Sequence, residues 1–157
     1  MDAISVPSND WILAGRLALA ALLGGVLGLN REMALKPAGM RTHALVALGA
    51  ALATITGLEL TASPTEDASA PGRIIQGLVA GIGFIGSGVI LHRRDNHTVE
   101  GLTTAASIWV IAAVGVAVGA GLWRASTIVV LIALLLLAVG NQVDRLVHRL
   151  SRTPTDE

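Results

Sequence analysis

Apolar residues gather into five runs separated by short polar links. The runs are Trp11 to Leu29, Thr42 to Leu60, Gly72 to Leu91, Leu102 to Gly121 and Trp123 to Gly140. Each is close to the roughly 20 residues a helix needs to cross a hydrocarbon core. The pattern predicts an all-α polytopic membrane protein of five transmembrane helices. The longest link, around Thr61 to Pro71, is rich in Thr, Ser, Ala, Pro and acids, so no soluble domain is expected there. Residues 1–157 read as a single membrane domain, with 141–157 a short helical or disordered cytoplasmic tail.

The third run is unusual for its glycines, Gly77, Gly81, Gly83, Gly86 and Gly88. At 100° per residue, Gln76, Gly77, Ala80, Gly81, Gly83, Phe84, Ser87 and Gly88 share one side, with Arg73 at its upper end. Ile74, Ile75, Leu78, Val79, Ile82, Ile85, Val89 and Ile90 fill the other, interrupted by Gly86. Small residues let helix backbones approach closely, so this helix is expected at the centre, surrounded by helices one, two and four. Small residues four apart recur as Gly24 and Gly28, as Gly49, Ala53 and Gly57, and as Gly115 and Gly119. The fifth run lacks the pattern and reads as peripheral and lipid-facing. Its continuation, NQVDRLVHRL, reads either as a surface helix on the inner leaflet or as a helix end trailing into water.

Composition supports the membrane assignment: of 157 residues, 53% are hydrophobic and 14% charged, and the mean hydropathy is +0.69. The formal net charge is zero and no nucleic-acid partner is expected; membrane lipid is the implied surroundings. There is no cysteine, which excludes disulfides, thiol nucleophiles and thiolate metal sites. No basic stretch precedes the first run, so it is expected to stay in the mature protein. Of the Lys and Arg residues, Arg31, Lys36, Arg41, Arg93, Arg94, Arg145, Arg149 and Arg152 fall on one side, and Arg16, Arg73 and Arg124 on the other. The richer side is expected to be cytoplasmic, placing the N-terminus outside and the C-terminus inside.

Several motifs fall away on context. Gly81-Ile-Gly83-Phe-Ile-Gly86 matches a dinucleotide fingerprint, but that fingerprint needs a strand before it and an aqueous pyrophosphate site. Asn96-His97-Thr98 matches a glycosylation acceptor on the side expected to be cytoplasmic. No GxSxG elbow or zinc-type histidine pair is visible, so no enzyme activity, catalytic residue, metal site or cofactor is expected. No Asp or Glu lies in the middle of a span, which weakens a direct magnesium path.

Polar residues within or near the spans are the better candidates, because they are costly there. Arg16 lies a turn inside the first helix, where it either snorkels outward or is buried. Asn30, Arg31 and Glu32 close that helix, and Arg41, Thr42 and His43 open the next. Glu32 and Arg41 read either as a pair across the link or as solvated helix ends. Arg73 and Gln76 are expected to form a buried polar cluster at the outer start of helix three. Thr103, Thr104 and Ser107 begin helix four, where hydroxyls bond back to their own helix. Trp11 and Trp123 fall at the outer interface, with Trp109 deeper.

The runs ALLGGVLGLNRE, AGMRTHALVALGAAL, PGRIIQGLVAGIGFIGSGVIL and VEGLTTAASIWVIAAVGVAVGAG, in this order, resemble the membrane domain of the MgtC/SapB family. The resemblance covers roughly Leu19 to Gly121. It implies a bacterial inner-membrane protein linked to growth at low magnesium and, in pathogens, to virulence. It also implies action through other membrane proteins, the F-type ATP synthase among them, rather than magnesium transport. The positions it marks are Asn30, Arg31, Glu32, Gly39, Arg41, Thr42, Arg73, Gly81, Gly83, Phe84, Gly86, Gly88, Gly101, Leu102, Thr103, Thr104, Ala105 and Trp109. Ser87 stands where the family usually has Ala, and Ala70 where an Asp is frequent. Many relatives carry a soluble C-terminal domain, which is not expected here. The function this suggests is a regulator in magnesium or phosphate homeostasis working by helix contact, with a homo-oligomer through a glycine face. The alternative is a small transporter or channel lined by Arg73, Gln76, Ser87 and the Thr103 cluster.

Overall fold

The computed structural model describes residues 9–60, 69–93 and 98–150. They form α1 (Asp10–Met33), α2 (Met40–Leu60), α3 (Ala70–Val89), β1 (Leu91–Arg93), β2 (Thr98–Glu100), α4 (Leu102–Gly119) and α5 (Trp123–Leu150). All five helices are long and apolar enough to cross a membrane, as the sequence pattern predicts. The one addition is a short antiparallel ladder between α3 and α4, with Leu91 opposite Glu100 and Arg93 opposite Thr98. Helix α5 runs on past its apolar part to Leu150; its 28 residues make it about 42 Å long at 1.5 Å per residue. The Thr61 to Asp67 link, Arg94, the Asn96-His97 pair and Arg152 lie outside the described residues.

Helix ends are built by local chemistry. The Asn9 side chain accepts the Trp11 amide at 3.2 Å and starts α1. Two helices end in the same left-handed cap, in which the second amide past the cap reaches back five residues. After α4, Leu122 bonds Ala117 and Gly121 takes φ +88°; after α1, Lys36 bonds Arg31 and the left-handed residue is Leu35, φ +53°. Glycine adopts this conformation freely, whereas leucine pays about 1 kcal/mol for it.

The centre of the bundle is α4, which packs against each of the other four helices. Its Ile108, Ile111, Val114 and Val118 are buried, most of them against Leu23 and Leu27 of α1 and Ala47 and Ala51 of α2. Glycine makes the approach possible. A Cβ on Gly28 would sit 2.6 Å from the Gly39 carbonyl oxygen, and one on Gly119 2.6 Å from that of Ala51. Gly24 lies as tightly on His43 of α2, and Gly115 on Ala47. At the far end of α4, Arg16 Nη1 donates to the Gly119 carbonyl at 3.0 Å. Arg16 is thus a cap on a neighbouring helix, placed where the helix dipole favours a cation.

The expected central position of α3 is not observed. Among the described residues it packs mainly on α2 and α4, and it is its bulky side that packs: Ile82 lies with Ile108 and Ala112, and Ile74 fills the space left by Gly57. Large side chains seat in hollows that small residues on α2 and α4 provide, so the oily face turns inward. Around Gly77, Gly81, Gly83 and Gly88 a Cβ would meet nothing within 4 Å, and Phe84 is 82% exposed. Only Gly86 of this run packs inward, against Ala105. Helix α5 is peripheral as expected, holding on through Ser126 and Val130.

Candidate functional site

Three helix ends converge where α1 finishes, α2 begins and α4 begins. Arg31, on the last turn of α1, is 2% exposed, and its Nη2 donates to Thr104 Oγ1 in the first turn of α4 at 3.0 Å. Its Nε is buried with no hydrogen-bond partner, as is Asn30 Oδ1. A buried, unmade donor on a cation costs more than the ordinary 1–3 kcal/mol or so of a neutral group, so the arrangement is expensive for a purely structural purpose.

Beside this contact lies His43 of α2, fully buried. Its Nδ1 is 3.0 Å from the Gly39 carbonyl and its Nε2 3.0 Å from Ser107 Oγ, which also lies 2.8 Å from the Thr104 carbonyl. A carbonyl can only accept, so Nδ1 carries a proton. In the neutral ring Nε2 must then accept, and the single Ser107 proton has two acceptors to choose between. Arg31, Thr104, Ser107 and His43 therefore make one continuous polar string across α1, α4 and α2. Glu32 closes the outside of the same corner by accepting the Met40 amide at 2.9 Å. It caps α2 in this way and does not pair with Arg41, which is exposed.

A cleft of about 590 Å³ opens over this corner, with Arg31 and Thr104 in its lining beside Thr103, Lys36, Glu100 and Leu137. A second, apolar groove of about 220 Å³ lies between α3 and α4, lined by Ile75, Val79, Ile82 and Trp109 among others. Among the described residues no group of three or more His, Asp or Glu stands together.

The predicted positions thus separate into three places. Asn30, Arg31, Glu32, Thr103 and Thr104 come together, with Arg41 and Thr42 at the margin on the first turn of α2. Gly81, Gly83, Ser87 and Gly88 lie on the open face of α3, where Ser87 Oγ bonds back to the Phe84 carbonyl at 2.7 Å. Gly86 is buried on the opposite side, and Trp109 lines the groove. Arg73 and Gln76 do not form the buried cluster expected of them. Both are exposed, and Arg73 Nη2 reaches Ser69 Oγ one turn back. Among the described residues, their face of α3 is the one no other helix covers.

The sequence profile of the MgtC family matches residues 17–146. The chain belongs to the MgtC family. It is 42% identical over 154 residues to Protein SrpB of Synechococcus elongatus, covering 93% of this chain and 85% of that one. It is 42% identical to the putative magnesium transporter YhiD of Escherichia coli over 131 residues, 82% of this chain and 60% of YhiD. To Protein MgtC of Salmonella typhimurium it is 44% identical over 129 residues, 80% of this chain and 52% of MgtC. The chain therefore spans most of SrpB but only about half to three-fifths of the other two. No solved structure matches it.

Proposed function

We propose that this MgtC-family membrane protein is a regulator in magnesium and phosphate homeostasis that works by helix contact with other membrane proteins, and not an enzyme. The observation that carries the reading is the contrast within its glycines. Gly24, Gly28, Gly115 and Gly119 are used for contacts inside the chain, whereas Gly77, Gly81, Gly83 and Gly88 face open space. In lipid such a face gains little from hydrocarbon and much from a second close backbone. The magnesium connection comes from the names of relatives such as YhiD. The resemblance noted above adds virulence in pathogens and the F-type ATP synthase as one partner; a second copy of this chain is another. The distribution of Lys and Arg supports an N-terminus outside and a C-terminus in the cytoplasm, and the resemblance adds a bacterial inner-membrane location.

The test is Gly81→Leu, assayed for growth at low magnesium alongside the amount of folded protein. Loss of function at normal abundance is expected. Full activity in a stably folded Gly81→Leu protein would contradict the reading.

Direct transport is the second reading, favoured by the cleft and by the printed name of YhiD. Against it, Leu27, Ala47, Ile111, Val114 and Val118 are closely packed in the middle of the bundle. Among the described residues a single chain offers no polar route past them. Purified protein in liposomes should show no saturable magnesium flux.

A further inference from the structure

The cleft over Arg31 has the features of an anion site. We propose that it binds a phosphate-type oxyanion, presented either by the headgroup of an anionic phospholipid or by free phosphate.

Helix α4 starts inside this cleft. Its cap residue is Gly101, at φ +91°, which offers no side-chain acceptor to the first-turn amides. These amides have no partner within a helix and carry the positive end of its dipole, the arrangement that receives phosphate in other folds. A side chain at position 101 would collide with the Val89 carbonyl, so the cap is confined to glycine and the approach stays open.

The second, independent observation is Arg31. It is almost fully buried at the cleft, its one hydrogen-bond partner is the neutral Thr104 hydroxyl, and its Nε is unsatisfied. A buried guanidinium is ordinarily matched by an anion, and its planar fork suits phosphate oxygens. Among the described residues no carboxylate supplies that match. Lys36, exposed on the link between α1 and α2, adds a second cation to the lining. Glu100 adds one negative charge, which leaves two side-chain cations and a helix N-terminus against a single acid.

The remaining wall is apolar, formed by Leu136 and Leu137 of α5 among others. It leaves room for more than a bare phosphate, and a lipid headgroup with its glycerol would use that wall. The proposal does not depend on contact with a partner protein, so it stands or falls separately from the regulatory reading.

The experiment uses the full chain in nanodiscs, with two arms. In one, inorganic phosphate is titrated at constant ionic strength against chloride while thermal unfolding is followed. In the other, native mass spectrometry compares retention of phosphatidylglycerol with phosphatidylcholine. The expected result is a saturable response in at least one arm, which names the source. Lys36→Gln, on an exposed link, should weaken it about three- to tenfold. Arg31→Lys keeps the charge but loses the fork and should weaken it at least tenfold. No response beyond chloride together with no lipid preference would overturn the proposal. So would a response that Lys36→Gln and Arg31→Lys leave unchanged.

Discussion

Helices α3 and α4 both carry glycines four residues apart and use them in opposite ways. On α4, Gly115 and Gly119 lie against the backbone of α2, close enough that any side chain would collide with a carbonyl oxygen. On α3, a Cβ added to Gly77 or Gly81 would meet nothing within 4 Å. Spacing alone therefore says that a close contact is possible, not which neighbour makes it. Bulk decides that. The opposite face of α3 holds Ile74, Ile82 and Val89, which seat in the hollows of α2 and α4, and this leaves the small face outward.

The sharpest test of the contrast is Gly115→Leu. It forces a side chain into the α2 backbone and should cost about 3 kcal/mol or more, at the upper end of what overpacking does. Reversible unfolding in detergent or bicelles would read this as a collapse of the folded fraction. A midpoint unchanged from the parent would mean that the α2 and α4 contact is looser than described. His43→Phe comes next. It removes one of the two partners of Ser107 and takes away the α2 end of the buried string, for about 1–3 kcal/mol of destabilisation by the same assay.

A smaller effect of opposite sign is expected at the α1 cap. Leu35 is 93% exposed and left-handed, so Leu35→Gly relieves strain at no packing cost and should stabilise by about 0.5–1 kcal/mol. Smallest is the stability effect of Gly81→Leu, within about 0.5 kcal/mol of the parent because a Cβ there meets no described atom within 4 Å. A large destabilisation there would place the α3 face in a contact already present in the folded protein.

Much of the architecture was legible in sequence because a membrane imposes strong length and polarity rules. The five spans, the peripheral α5 and the tight pairs at Gly24 and Gly28 and at Gly115 and Gly119 all follow from them. The position of α3 was not legible, since a helix with one bulky and one small face can be turned either way until its neighbours are known. In the site, Arg31 and Thr104 are 73 residues apart, and nothing local says that one donates to the other. His43 was visible only as part of a polar helix start. Its role depends on Ser107, 64 residues away, and on Gly39, one turn back on the same side. The signal that would have found it is a titratable ring one turn inside a span, in register with a serine equally placed in another.

Regulation by helix contact requires that the open face of α3 meet protein in the cell. Photocrosslinkers placed at Gly81 and Ser87, with Val79 on the bulkier side as the reference, would measure this in native membranes. Discrete protein adducts are expected from Gly81 and Ser87, to either a second copy of this chain or another membrane protein, at clearly higher yield than from Val79. Lipid adducts alone from Gly81 and Ser87, with no protein band above the Val79 level, would contradict it.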